Sequence, residues 1–315
     1  MTAILNNPGC ASFGGNTGIG NCDFNLKDIQ GIIVVDKAFT LLAATLVDVP
    51  TLEAALKVSV NAAGTLRIFP ITGFDDPEVK STEIGRSESA FGRSSLTRRG
   101  KYNLVSRLAQ GGQCFFNELR KFNGDNSKRV YLWTSDNYLV GTKSGTADMK
   151  GASVDFIHTH DSTLPDGKDI SKTMLEIQFS DNRELNEDIA YVKMSDSMND
   201  IVKGVINVEV SKLSQGAATA TMQVFTKCDK TNLYDSFSAL LASAAAWNIT
   251  KAGVAVVPVS VAAVPATKSW IITLTAPTGA HVIDLVNCAA LDALGVGGDP
   301  DNGFESTGAV TVTFA

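Results

Sequence analysis

His158-Thr159-His160-Asp161 is the sharpest metal-like signal in this chain of 315 residues. Two histidines at i and i+2 on a strand project to the same side and can share a metal ion. Asp155, Asp161 and Asp166 are nearby oxygen donors, so one reading is a metal-dependent hydrolase built on His158 and His160. Such a site needs further ligands, and His281 is the one remaining histidine of three. The competing reading is a strand whose polar end runs into the loop STLPDG, residues 162–167.

The other candidate motifs are weaker. Gly14-Gly15-Asn16-Thr17-Gly18-Ile19-Gly20 looks like the phosphate-binding loop of short-chain dehydrogenases, where glycines let the backbone approach a pyrophosphate at a helix start. Here no apolar strand precedes it, and Asn21-Cys22-Asp23 follows where a helix should begin. A glycine-rich arm fits better. No Gly-x-Ser-x-Gly elbow precedes a helix, so no Ser/His/Asp triad is nominated. Cys114 sits beside Phe115 and Phe116 and is expected to be buried. Asp75-Asp76 and Glu187-Asp188 are paired carboxylates indistinguishable from solvated loop acids. Asp299-Pro300-Asp301-Asn302-Gly303 resembles half of a calcium loop but lacks the closing Glu. Asn248-Ile249-Thr250 matches a glycosylation sequon. We therefore nominate no catalytic residue, no cofactor and no metal, and expect a protein that is not an enzyme.

Composition narrows the class further. Hydrophobic residues are 44% and charged residues 19%, a globular mixture that can bury a core. The net charge of −6 argues against general nucleic-acid binding by the whole chain. Five cysteines, odd in number and widely scattered, do not read as a disulfide framework, and a reducing compartment at folding is expected. The longest apolar stretches, such as Val254–Val264, are about half the ~20 residues a membrane span needs. Met1 is followed by a polar, Gly-rich stretch, which reads as no signal peptide.

Periodicity then places the elements. Residues 1–25, rich in Gly and Asn, read as an extended arm. Residues 29–37 form a short buried strand, residues 50–57 one or two helical turns, and residues 65–71 a strand. Residues 79–108 alternate polar and apolar over a long span, as long antiparallel hairpin strands with one wet face do. In residues 113–122 the apolar positions 115, 116, 119 and 122 share one helix face, and Asn123-Gly124 stops it. Strands follow at 129–133 and 138–140. Within 152–210 three alternating segments are interrupted by an acidic patch at 184–188. A strand covers 219–228, and the Ala- and Leu-rich stretch 231–247 reads as the best helix in the chain. The rest is β, resembling a small sandwich. The fold class is mainly β (α+β): an antiparallel β-sandwich or half-barrel with a long hairpin and flanking helices, plus a C-terminal β-rich region. The expected domains are an arm at 1–25, a β domain at 26–230, and a helix plus β-sandwich-like domain at 231–315.

Charge is more telling by segment. Residues 86–129 hold ten Lys or Arg against three acids, which is +7 and leaves −13 for the rest of the chain. Residues 155–200 hold eleven acids against four bases. The two regions either compensate within one molecule or lie on opposite surfaces, so that copies associate head to tail into rings or filaments. Under the second arrangement the assembly interface would include Arg86, Arg93, Arg98, Arg99, Lys101 and Arg107.

The arm NNPGCASFGGNTGIGNCDFNLKDIQGII resembles the N-terminus of structural virion proteins of tailed phages of Bacteroidetes hosts. So do TEIGRSESAFGRSSLTRRGKY, GGQCFFNELRKFNG and the strand with SDNYLVG, and the resemblance covers roughly residues 1–230. Within that group the order of elements is similar to tail-tube proteins. The resemblance implies copies that form rings, hexameric in such proteins, stacked into a tube through which DNA passes. Residues 79–108 would be the channel hairpin, 113–122 the flanking helix and 1–25 a bridging arm. It further implies contacts with other virion proteins, no membrane partner, and residence in the virion after assembly in the host cytoplasm. One departure is the basic hairpin, since such channels present acidic walls to DNA. Either its arginines face neighbouring subunits or the hairpin is not the wall, and a neck, ring or capsid-decorating protein stays open. From another class, a carbohydrate-binding β-sandwich has little support from 7% aromatics, with Trp133, Trp247 and Trp270 in strand or helix contexts.

Overall fold

The computed structural model describes residues 28–82, 85–88, 94–98, 100–108, 112–145, 147–161, 173–294 and 303–315, with backbone alone at 85–88 and 94–98. The arm at 1–25, including the glycine loop at 14–20, lies outside the described residues, as do Arg93, Arg99, Asp166 and residues 299–302. The chain is mainly β and divides into two compact units. Among the described residues, the first spans 28–59 and 64–202 and the second 60–63 and 203–315.

The first unit opens with β1 (Ile29–Asp36) and α1 (Val49–Asn61), whose last residues count with the second unit. β2 (Ile68–Thr72), β3 (Phe74–Ser81), β4 (Gly85–Glu88), β5 (Ser94–Arg98) and β6 (Tyr102–Leu108) follow. After α2 (Gln113–Leu119) come β7 (Lys128–Thr134), β8 (Tyr138–Ser144), β9 (Asp148–Lys150), β10 (Ala152–Thr159) and β11 (Thr173–Phe179). α3 (Asn182–Asn186), β12 (Ile189–Lys193) and α4 (Met198–Ile201) complete it. One antiparallel sheet runs β12-β8-β7-β10-β11-β6-β3, with β1 also paired to β7, β2 paired to β1 and β9 to β8. β7 and β10 join only at Ala152↔Val130 and Ser153↔Arg129, so the sheet turns a corner there.

Side-chain alternation decides which face of each strand is buried. In β11, Thr173, Leu175, Ile177 and Phe179 are buried while Met174, Glu176 and Gln178 are half-exposed. Leu175, Ile177 and Phe179 meet Leu104, Leu108, Val130, Leu132 and Ile157 in one core. Each such side chain contributes about 1.5–3 kcal/mol relative to exposure. β1 departs from alternation: Ile32, Ile33, Val34 and Val35 are all buried, because both faces of this strand are covered. Gly31 permits that closeness, since a Cβ there would stand 2.7 Å from the Ile71 carbonyl oxygen and 2.9 Å from Met198 Sδ.

The second unit contains β13 (Ile206–Gln215), β14 (Thr219–Thr226), α5 (Tyr234–Phe237), β15 (Trp247–Lys251), β16 (Val254–Ala255) and β17 (Ser260–Val264). β18 (Ser269–Thr273), β19 (Gly279–Leu285), α6 (Cys288–Ala293), β20 (Phe304–Ser306) and β21 (Val310–Phe314) follow. Two sheets, β17-β18-β14-β13-β20 and β16-β15-β19-β21, share a core that includes Trp247, Trp270, Met222, Ile283, Val312 and Phe304.

Three sequence expectations are corrected. The helix expected at 231–247 is broken: α5 is four residues long, short 3₁₀ turns cover Leu240–Ala242 and Ala244–Ala246, and Trp247 already belongs to β15. The cause is local. Ser243 has extended backbone and its hydroxyl caps Ala245 N–H, while the Ser238 and Leu241 carbonyls accept from the Trp270 and Trp247 indoles at 3.2 and 2.8 Å. The unit boundary falls after Val202 instead of at 230, because β13 and β14 pair with β20 and β18 of the second unit. Cys114 and Cys228 are each disulfide-bonded, and Cys288 is a buried free thiol. Spacing along the chain carries no information about which sulfurs meet in space, so the reducing-compartment expectation loses its basis.

Candidate functional site

The feature singled out at 79–108 is a hairpin that starts earlier, at Phe74. β3 and β6 pair from Phe74↔Leu108 to Ser81↔Tyr102. The ladder continues as Thr82 N–H donates to the Lys101 carbonyl at 2.7 Å and Lys101 N–H to Thr82 Oγ1 at 2.6 Å. β4 and β5 then pair from Gly85↔Arg98 to Glu88↔Ser94. Among the described residues this distal part forms a two-stranded sheet of its own.

The point where the hairpin leaves the sheet is tightly held. Asn182, at the start of α3, accepts from Tyr102 N–H at 2.8 Å and donates to the Gly100 carbonyl at 2.7 Å. The Tyr102 hydroxyl donates to Asn186 Oδ1 at 3.0 Å. Gly100 is buried, and any Cβ there would collide with the Thr82 carbonyl oxygen. Asp181 caps α3 by accepting from Arg183 N–H, which fixes Asn182 in the first turn. Sequence reasoning missed Asn182: Asp181 just after a strand marks a helix start but not the contact its neighbour makes.

Beneath this junction lies an apolar groove of about 410 Å³, whose lining includes Ile29, Val79, Tyr102, Leu132, Phe179 and Leu185. α2 and the 3₁₀ turn at Arg120–Phe122 flank the same unit, with Phe122 edge-on to Phe69 at 5.3 Å.

Among the described side chains of the basic segment, Lys101, Arg120, Lys121, Lys128 and Arg129 find acidic partners within the chain. Lys101 pairs with Asp155, Arg120 with Asp161 at 3.1 Å, and Arg129 with Glu184 at 3.4 Å. Each joins the basic segment to the acidic one. Glu184 also approaches Lys150 at 3.9 Å and accepts from the Ser153 hydroxyl at 3.0 Å. Of the expected interface residues, Lys101 is thus committed to Asp155 within its own chain. Arg107 is exposed on β6, opposite Asp75 on β3. Arg86 and Arg98 lie on β4 and β5, where the backbone alone is described.

The histidine pair sits on the wet face of the sheet. His158 and His160 are edge-to-face, 4.9 Å between ring centres. His158 is directly opposite Glu176, whose carboxylate bonds His160 Nε2 at 2.7 Å and Asn103 Nδ2 at 2.6 Å. Burial raises the Glu176 pKa, but the hydrogen bonds from Asn103 and His160 and the nearby imidazole charges outweigh it and hold the carboxyl below its usual value. Of the oxygen donors expected beside the pair, Asp155 and Asp161 are held by Lys101 and Arg120. Among the described residues no group of three His, Cys, Asp or Glu is arranged to hold a metal ion. His281 is buried in the second unit, edge-on to Phe314 at 5.2 Å. No helix among the described residues is long and apolar enough to cross a membrane.

What the arrangement offers chemically is therefore backbone: a two-stranded ribbon hydrogen-bonded at its root to the sheet and to α3. Neither a protein-family model nor a curated protein matches this chain.

Proposed function

We propose that this chain is a structural component of a bacteriophage virion, a tail-tube-like protein whose copies assemble into stacked rings around a channel for DNA. One observation carries the reading. The distal ribbon β4–β5 pairs with no other strand among the described residues, and an isolated two-stranded hairpin is marginal in water. Its base is nonetheless held rigidly by Asn182, Thr82 and Tyr102. A ribbon so anchored, with no further strand beside it among the described residues, is completed by a neighbouring copy. The resemblance of residues 1–230 to phage virion proteins supports the same reading.

Internal pairing of Lys101, Arg120 and Arg129 means that assembly does not rest on the whole +7 segment meeting the whole acidic segment of a neighbour. The contribution left to intermolecular contact is the ribbon and Arg107. Negative-stain electron microscopy of the concentrated purified protein tests the proposal. Rings or tubes are expected, and a strictly monomeric protein at all concentrations overturns it.

A further inference from the structure

The edges of the sheets differ sharply in how they are protected. An edge strand exposes unpaired N–H and C=O groups, and proteins blunt such edges with charge, proline, bulges or covering groups. β3 carries Asp75, Asp76, Pro77, Glu78 and Lys80 and a register shift between Asp75 and Glu78. β2 carries Pro70, and β12 ends in Lys193. In the second unit β21 is uncharged, but its Thr313 carbonyl accepts from the Gln215 side-chain amide at 2.6 Å. β17 itself carries no charge, no proline and no register shift. It is the edge of its sheet, bonded only to β18 among the described residues, from Ser260↔Thr273 to Val264↔Ser269.

The residues around β17 are uncharged, with Pro258 and Pro265 flanking the strand. The thirteen residues 252–264 contain no charged side chain. Val257 is 82% exposed and Val259 62% exposed just before the strand, and Val254 is 68% exposed in β16. Val261 and Ala263 turn inward onto the core, while Ser260 and Ala262 are exposed.

We infer that β17 is an interface between two copies of this chain, pairing antiparallel with β17 of a second copy. Open backbone groups along an edge call for another strand, which selects strand addition over helix or small-molecule docking. The absence of charge selects a second copy of the same surface. In a two-fold contact the patch meets itself, residue i facing j and j facing i, so a patch of one charge sign opposes the contact and a neutral apolar patch does not. Centring the five-residue strand on the axis puts Ala262 opposite Ala262. This inference rests on the assembly reading above and names one of its contacts, distinct from the hairpin.

Directly opposed residues of an antiparallel pair have Cα atoms about 4.5–5.5 Å apart. That falls within the roughly 4.4–6.8 Å that a disulfide spans. The test is an Ala262→Cys variant of the full chain under mild oxidation, beside the wild type as control, with sedimentation velocity of Ala262→Lys and Val259→Lys. Expected are a covalent dimer through the introduced thiol that the wild type does not form, and self-association weakened by at least about tenfold in both lysine variants with circular dichroism unchanged. If Ala262→Lys fails to fold, Val259→Lys and the cross-link decide the matter. A wild type that assembles while Ala262→Cys gives no dimer and the folded lysine variants associate normally overturns the β17 contact and leaves the assembly reading standing. A wild type that is monomeric throughout overturns both.

Discussion

Asn182 holds Tyr102 at the hairpin's root, bridging it to Gly100 on the same arm of the hairpin. Its Oδ1 accepts from Tyr102 N–H at 2.8 Å, and its Nδ2 donates to the carbonyl of Gly100, two residues earlier, at 2.7 Å. One side chain thereby satisfies a donor and an acceptor that lie past the end of the β6–β11 ladder, which stops at Asn103↔Gln178. The direction in which β4–β5 leaves the sheet depends on this clamp.

Asn182→Ala leaves both backbone groups without their partner. A half-buried polar group so stranded costs about 1–3 kcal/mol. Chemical denaturation is expected to show a loss in that range, with Asn182→Asp falling between the two because it keeps the acceptor and loses the donor. Proteolysis at the hairpin root is expected to quicken in parallel.

The ion pairs between the basic and acidic segments are expected to differ in weight. Arg129 and Glu184 are 12% and 15% exposed at the side chain, and Glu184 further serves Ser153 and Lys150. Asp161, paired with Arg120, is 88% exposed. Removing one partner of a buried pair costs about 3–5 kcal/mol, whereas an exposed pair is worth about 0–1 kcal/mol. Glu184→Ala is therefore expected to destabilise by about 3 kcal/mol and Asp161→Ala by less than about 1 kcal/mol in the same urea titration.

Acid should unfasten the Glu176 site. Its carboxyl titrates below the usual 4.5 in the folded chain, despite burial, because Asn103 and His160 bond its charged form. A depressed folded-state value means that the stabilisation is complete above pH 4.5 and is lost as pH falls through that lower value. Stability measured against pH is expected to decline over that acid window in the wild type and to decline less steeply in Glu176→Gln.

Much of this was legible in the chain. The alternation in 173–179 and 102–108 fixed which residues face the core, because each strand has one wet face. The hairpin at 79–108 and the helix at 113–122 were legible for the same reason, with the hairpin beginning five residues earlier than expected, at Phe74. Pattern failed where tertiary partners decide. The stretch 231–247 has helical composition, yet its Ser238 and Leu241 carbonyls are drawn to two indoles. β13 and β14 alternate like the strands before them, and nothing in alternation says which sheet a strand will join. β12 and β19 were missed beside an acidic patch and a Pro-Thr-Gly turn. Asn182 is a single amide whose two partners lie about 80 residues upstream, and no local pattern marks such a contact.

The central claim is that the β4–β5 ribbon is completed by another copy of the chain. Its most direct measurement is sedimentation velocity of the wild type against a variant in which residues 85–98 are replaced by a short Gly-Asn turn, with Asn182 and Tyr102 kept. The account predicts that the wild type forms large particles with increasing concentration and that the folded, shortened variant does not. A shortened variant that assembles as the wild type does, or a wild type that stays monomeric, contradicts it.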